Sequence, residues 1–288
     1  MKSNNPIFNN NPAFNGQAGY GQGGYAQQAY PQGGYPPPPP GYGAPQYGAP
    51  LQAPQATRAM TIDDVVQKTG ISLGVVLIAA VATWVGTGDV TAGDTSSLVA
   101  LTSVGMFGGL IVGLICSFKR SMLSPALVLA YAAFQGLFMG GISKIYDAQF
   151  STQGEPSIVF QAVLGTIFAG GGVLAAYKFF DIKIGDRFRR GVIAASFGFL
   201  GLGLLELVLS MFGHGMGFFG NGGMGLIFAI AGLAFGVVGL LLDFDMVENG
   251  LRAGVPEKFA WTAAFGLTAS LVMVYFYLLR ILAILQND

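Results

Sequence analysis

Seven apolar runs, each close to 20 residues long, lie at about 70–87, 97–117, 124–145, 157–179, 191–213, 223–243 and 259–284. A helix of about 20 residues crosses a hydrocarbon core of roughly 30 Å. Inside that core every backbone N–H and C=O must be satisfied within the protein, and continuous runs of this length do so as helices. The predicted fold class is therefore an all-α integral membrane protein, a seven-transmembrane-helix bundle. Charge content agrees: Asp, Glu, Lys and Arg make up 10% of the chain, against about 25% in a soluble domain. The 14 basic and 14 acidic residues cancel, so the chain offers no basic face to nucleic acid.

The runs begin only after a different kind of sequence. Residues 1–57 hold one charge (Lys2), 11 of the 14 prolines and 6 of the 11 tyrosines. With few aliphatic side chains to offset ordering entropy, this stretch reads as a disordered cytoplasmic tail rich in Pro, Gly, Tyr and Gln. Its Pro36–Pro40 run favours an extended polyproline helix. The polar, Pro-rich stretch before the first apolar run does not read as a secretory signal, and none is expected there. Residues 58–288 form the membrane domain. The single cysteine, Cys116, excludes an internal disulfide and a Cys-based metal cluster, and it reads as a small core residue.

Orientation follows from the basic residues. In a seven-span arrangement, 12 of the 14 lie on the side of the N-terminus: Lys2, Arg58, Lys68, Lys119, Arg120, Lys178, Lys183, Arg187, Arg189, Arg190, Arg252 and Lys258. Only Lys144 and Arg280 lie on the other. The expectation is a multi-pass protein of a bacterial plasma membrane, N-terminus cytoplasmic and C-terminus outside. Before the first span, Thr61 is a candidate N-cap, with Asp63 and Asp64 in the first turn where the helix dipole favours acids. Ile62, Val65 and Val66 share a face, which predicts a short surface helix leading into span 1. The steps Gly105-Gly109-Gly113 in span 2 and Gly232-Gly236 in span 6 predict close helix packing within the bundle.

Ionisable groups at membrane depth are functional candidates because they are costly to keep there. They are Glu206, Asp243, Asp245 and, near one end of span 7, Arg280, with Gln135 as a polar companion in span 3. Asp243 lies roughly 30 Å along span 6, at its cytoplasmic end. Asp245, two residues on, projects to nearly the opposite side. Glu248 can pair with Arg252 at i,i+4. Asp243 is the acid expected to point into the bundle, where Lys119 or Arg120 at the end of span 2 would form a latch that opens on protonation. An ordinary solvated helix end is the competing reading. Glu206 lies roughly 22 Å along span 5. It lines a water cavity, hydrogen-bonds Gln135, or is a structural carboxylic acid. His214, the one histidine, reads as a solvated loop residue. No His-Glu-x-x-His pair, intramembrane His or Ser/His pairing is present, so neither an enzyme nor a cofactor is expected.

Three stretches carry a resemblance. Met60-Thr61-Ile62-Asp63-Asp64-Val65-Val66 precedes span 1. Ser124-Pro125-Ala126-Leu127 leads to Gln135-Gly136-Leu137-Phe138-Met139-Gly140-Gly141-Ile142-Ser143 in span 3. Leu242-Asp243-Phe244-Asp245-Met246-Val247-Glu248 ends span 6, and Leu278-Leu279-Arg280-Ile281-Leu282 follows in span 7. In this order, residues from about 58 to 285 resemble the Bax inhibitor-1/YccA-like family of seven-span membrane proteins, in its bacterial branch. The resemblance implies a cytoplasmic, pH-sensitive carboxylate pair that gates a calcium leak, with Asp243 as its span 6 member. The aligned span 7 position holds Ser270, and no acid occurs from Phe259 to Asn287. Gln135 stands where the span 3 motif often has Glu. Both departures remove negative charge, while Ca²⁺ prefers six to eight oxygen ligands. The family also includes proteins that bind a membrane-anchored protease. Two functions follow: a pH-sensitive leak for Ca²⁺ or H⁺, or a non-transporting regulator bound to another membrane protein. Beyond the lipid bilayer, those are the partners expected.

Overall fold

The computed structural model describes residues 58–88, 90, 95–119, 121–151, 156–180 and 184–286. The readings for residues 1–57 and for Arg120 lie outside them. Among the described residues seven helices are long and apolar enough to cross a bilayer: α1 (Ile62–Gly86), α2 (Ser96–Phe118), α3 (Pro125–Phe150), α4 (Ile158–Phe180), α5 (Asp186–Met211), α6 (Gly223–Arg252) and α7 (Phe259–Gln286). α2, α3, α4, α6 and α7 begin within a residue of where hydropathy places them, whereas α1 and α5 begin eight and five residues earlier; α3 starts on a proline whose missing N–H costs nothing there. The end at which α1 begins carries most of the Lys and Arg and is the basic end of the bundle.

No separate surface helix precedes span 1. α1 runs unbroken from Ile62, opened by a capping box in which Thr61 Oγ1 accepts from Asp64 N–H and the Asp64 carboxylate accepts from Thr61 N–H. Of its three apolar residues only Val65 turns inward; Ile62 and Val66 are exposed, because α1 packs on α3 and α7 along one narrow stripe. At the same end the turn between α6 and α7 closes with a Schellman motif: Val255 N–H bonds Gly250 O and Gly254 N–H bonds Leu251 O. Gly254 takes φ +62, where a side chain would be strained. Met60 N–H then bonds Val255 O, and Lys68 reaches Glu257 Oε1 at 3.1 Å. These contacts seat the start of α1 on the start of α7.

α7 is the hub, packed against α1, α3, α4 and α6. The glycine steps do close helix contacts as expected. A Cβ at Gly105 would lie 2.8 Å from Phe134 O, and one at Gly236 would lie 2.9 Å from Val274 Cγ2. The tightest approach was not anticipated: at Gly136 and Gly140 α3 lies directly on the α1 backbone, where a Cβ at Gly140 would sit 2.8 Å from Ala80 Cα. α5 differs from the rest. It packs on α6, and its one fully buried side chain is Glu206.

The two bases on the far side of the bundle both have buried work. Lys144 donates to Trp84 O (2.7 Å), Thr87 O (2.8 Å) and Thr87 Oγ1 (3.1 Å), closing the C-terminus of α1. Arg280 donates to the carbonyls of Phe218 and Gly220 in the α5–α6 loop, between the rings of Phe219 and Phe228. A helix C-terminus and loop carbonyls are favourable places for a cation.

Candidate functional site

Near the basic end of α6 three acids fan out toward three neighbours. Asp243 faces α7, where its Oδ2 accepts from Ser270 Oγ at 2.6 Å. Asp245 faces α5 and pairs with Arg189. Glu248 accepts from Tyr177 of α4 at 2.5 Å and pairs with Arg252 one turn along its own helix. The two-residue step between Asp243 and Asp245 thus separates their partners as helical geometry requires.

The Asp243–Ser270 contact is framed by a reciprocal pair of glycines. α6 and α7 run antiparallel. Gly239 lies one turn before Asp243, and a Cβ there would be 2.8 Å from Ser270 Oγ. Gly266 lies one turn before Ser270, and a Cβ there would be 2.5 Å from Asp243 Oδ1. Each polar side chain therefore lies over the bare backbone of the opposite helix. The repeated spacing, Gly followed four residues later by a polar group, is visible in the chain, but it becomes a signal only once α6 and α7 are known to pair. The carboxylate is half-buried and its described partner is a hydroxyl. A carboxylate accepts a hydrogen bond of this kind more strongly when ionised than when neutral.

Lys119 does not complete the expected latch. Its side chain is exposed and it makes no ion pair among the described residues. The reason is helix order: α2 packs on α3, and depth alone does not bring its end to α6. Among the described residues, the base that reaches this end of α6 from a neighbouring helix is Arg189, which takes Asp245.

Glu206 and Gln135 also part company. Gln135 Nε2 donates to Tyr131 Oη at 3.1 Å within α3 and lies beside Gly109. Glu206 lies near the far end of α5, which begins at Asp186 and ends at Met211, as its distance along the span implies. Its two carboxyl oxygens accept the N–H groups of Met216 (2.8 Å), Gly217 (2.9 Å) and Phe218 (3.1 Å). With Arg280 holding carbonyls of the same loop, the Gly-rich turn is clamped by an acid on its donors and a base on its acceptors. His214 stays in this loop, exposed, with Nδ1 2.8 Å from Phe212 O. Cys116 is buried among apolar neighbours.

Among the described residues no group of three or more His, Cys, Asp or Glu side chains is arranged to hold a metal ion. No curated protein matches the chain. The profile of the family described as Bax inhibitor 1 like matches residues 5–287, a wider stretch than the 58–285 over which the motifs run, since it takes in most of the tail. The chain belongs to the Bax inhibitor 1-like family, as a polytopic helical membrane protein.

Proposed function

We propose that the protein is a pH-responsive cation leak, with Ca²⁺ as the cation to test first, in a bacterial plasma membrane, oriented with its N-terminus in the cytoplasm. The observation that carries this reading is the Asp243–Ser270 hydrogen bond of 2.6 Å joining α6 to α7. An ionised Asp243 holds the two helices together through Ser270; protonation removes the charge and weakens the tie, so acid favours opening. Family membership supports the same reading, since the resemblance implies a gating carboxylate and Asp243 is the residue that matches it. Ser270 in the second position makes this a carboxylate–hydroxyl pair in place of two carboxylates. Two side chains fall far short of the six to eight oxygens of a calcium cage, so the pair acts as a gate past which the ion travels without dwelling.

Full-length protein reconstituted into liposomes should admit Ca²⁺ to a trapped indicator faster than empty vesicles do. No flux above the empty-vesicle rate would end the leak reading. That result, with a stable cross-linked partner in native membranes, would leave the non-transporting regulator.

A further inference from the structure

We infer that the pocket at the basic end of the bundle, where the starts of α1, α3 and α7 meet, binds a phosphate group. The pocket has a volume of about 560 Å³, within the range of small-molecule sites. Three of its lining residues are bases, Arg58, Lys68 and Lys258, and one is an acid, Glu257. Asp64 does not line the pocket but pairs with Arg58 at 2.5 Å. Three bases thus meet two acids, which leaves one positive charge over. Asp63, on the same turn as Asp64, makes no ion pair with these bases among the described residues.

The fold gathers these bases and leaves donors over. Lys68 Nζ donates to Glu257 O at 3.2 Å and to Glu257 Oε1 at 3.1 Å, and it lies 5.9 Å from the centre of the Trp261 ring. Arg58 is held through its backbone, where its O accepts from Glu257 N–H at 2.9 Å. Its Nη2 is taken by Asp64, but its Nε is 3.6 Å from Glu257 Oε2, too far for a hydrogen bond. Of its five N–H donors, most are therefore unused. The Lys258 ammonium is exposed and makes no ion pair among the described residues. Ser124 also lines the pocket as the N-cap of α3, and its hydroxyl makes no cap hydrogen bond; the dipole of α3 favours negative charge at that point. A phosphate brings several acceptor oxygens and no fixed donor to such a set, and Arg and Lys are its usual partners. The remaining wall, Met122, Leu123, Pro125 and Trp261, is apolar and suits the organic part of a phosphate ester. A soluble phosphate and a lipid headgroup at the bilayer surface share this chemistry. The inference does not depend on the leak reading.

Trp261 supplies the readout, because the chain has two tryptophans and the other, Trp84, lies at the opposite end of α1. Full-length, delipidated Trp84→Phe protein in an uncharged detergent is titrated with inorganic phosphate, with glycerol 3-phosphate and with phosphatidylglycerol. Sodium chloride at matched ionic strength and diacylglycerol of the same acyl chains are the controls. A saturable change in Trp261 emission is expected with at least one phosphate compound and with neither control. Saturation by inorganic phosphate or glycerol 3-phosphate assigns the site to a soluble ligand; saturation by phosphatidylglycerol alone assigns it to a lipid headgroup. Lys258→Gln, an exposed substitution, should weaken the binding by about five-fold. Should Trp84→Phe fail to give monodisperse protein, the same titrations of the wild-type chain and of Lys258→Gln carry the test, with Trp84 a constant background. No saturable change with any of the three phosphates, a change that chloride or diacylglycerol reproduces, or binding that Lys258→Gln leaves unaltered overturns the inference.

Discussion

Replacing Glu206 with Gln isolates what its carboxylate does. Gly217 and Phe218 N–H both bond Oε1, and Met216 N–H bonds Oε2, with Glu206 buried at 2% exposure. A glutamine keeps one oxygen, which can serve two of the three donors. Its amide nitrogen then meets the third N–H, donor against donor. One buried donor left unpaired costs about 1–3 kcal/mol, and the remaining two bonds lose their charge assistance. The loop from Gly213 to Gly222 should therefore open more readily by about 2 kcal/mol, or roughly 30-fold. Amide hydrogen exchange followed by mass spectrometry reads this directly: the 216–218 amides should exchange roughly 30-fold faster, while α7 serves as an unaffected reference. Gln135→Leu should leave the loop untouched. If Glu206→Gln exchanged like the wild type, or if Gln135→Leu loosened the loop as much, the clamp would be the wrong account of Glu206.

Other substitutions probe the gate and the packing. Gly266→Ala places a methyl 2.5 Å from Asp243 Oδ1. It should drive the carboxylate off Ser270, lower stability by about 1–3 kcal/mol, and raise basal flux, all measurable on one detergent preparation. Ser270→Ala leaves Asp243 without its described donor and should raise flux at neutral pH toward the acid level. Gly140→Leu must displace the α1 backbone at Ala80; loss of the monodisperse peak in size-exclusion chromatography is expected, whereas Gly74→Ala, with no neighbour within 4 Å of the new Cβ, should be tolerated. Thr61→Ala removes the capping box of α1 and should cost about 1 kcal/mol in thermal unfolding.

Hydropathy was enough for the seven helices, since a membrane leaves a long apolar run no alternative. Capping was readable at Thr61 because its partner lies three residues away, and the split between Asp243 and Asp245 followed from helical geometry alone. Pairings across the bundle were not readable, because the order in which helices pack leaves no mark in hydropathy. Lys119 stands at the right depth but on a helix that packs elsewhere; Arg189 could be matched to Asp245 only once α5 was known to lie on α6. The partners of Glu206 were hidden for a related reason. Its distance along the span put it toward the far end of α5, where it lies, but the three amides that hold it come from a glycine-rich loop without any distinctive motif. Ser270 was reachable only through the family resemblance, which singles out a position where the residue type alone suggests nothing.

The account turns on Asp243, and the pH profile of ion flux tests it most directly. Wild-type protein and Asp243→Asn, reconstituted at equal density, should be compared for Ca²⁺ entry from pH 8 to pH 5. Wild-type flux should rise as pH falls and the tie to Ser270 weakens, while Asp243→Asn, which lacks the charge at every pH, should be open throughout and nearly flat. Two superimposable profiles would contradict the central claim.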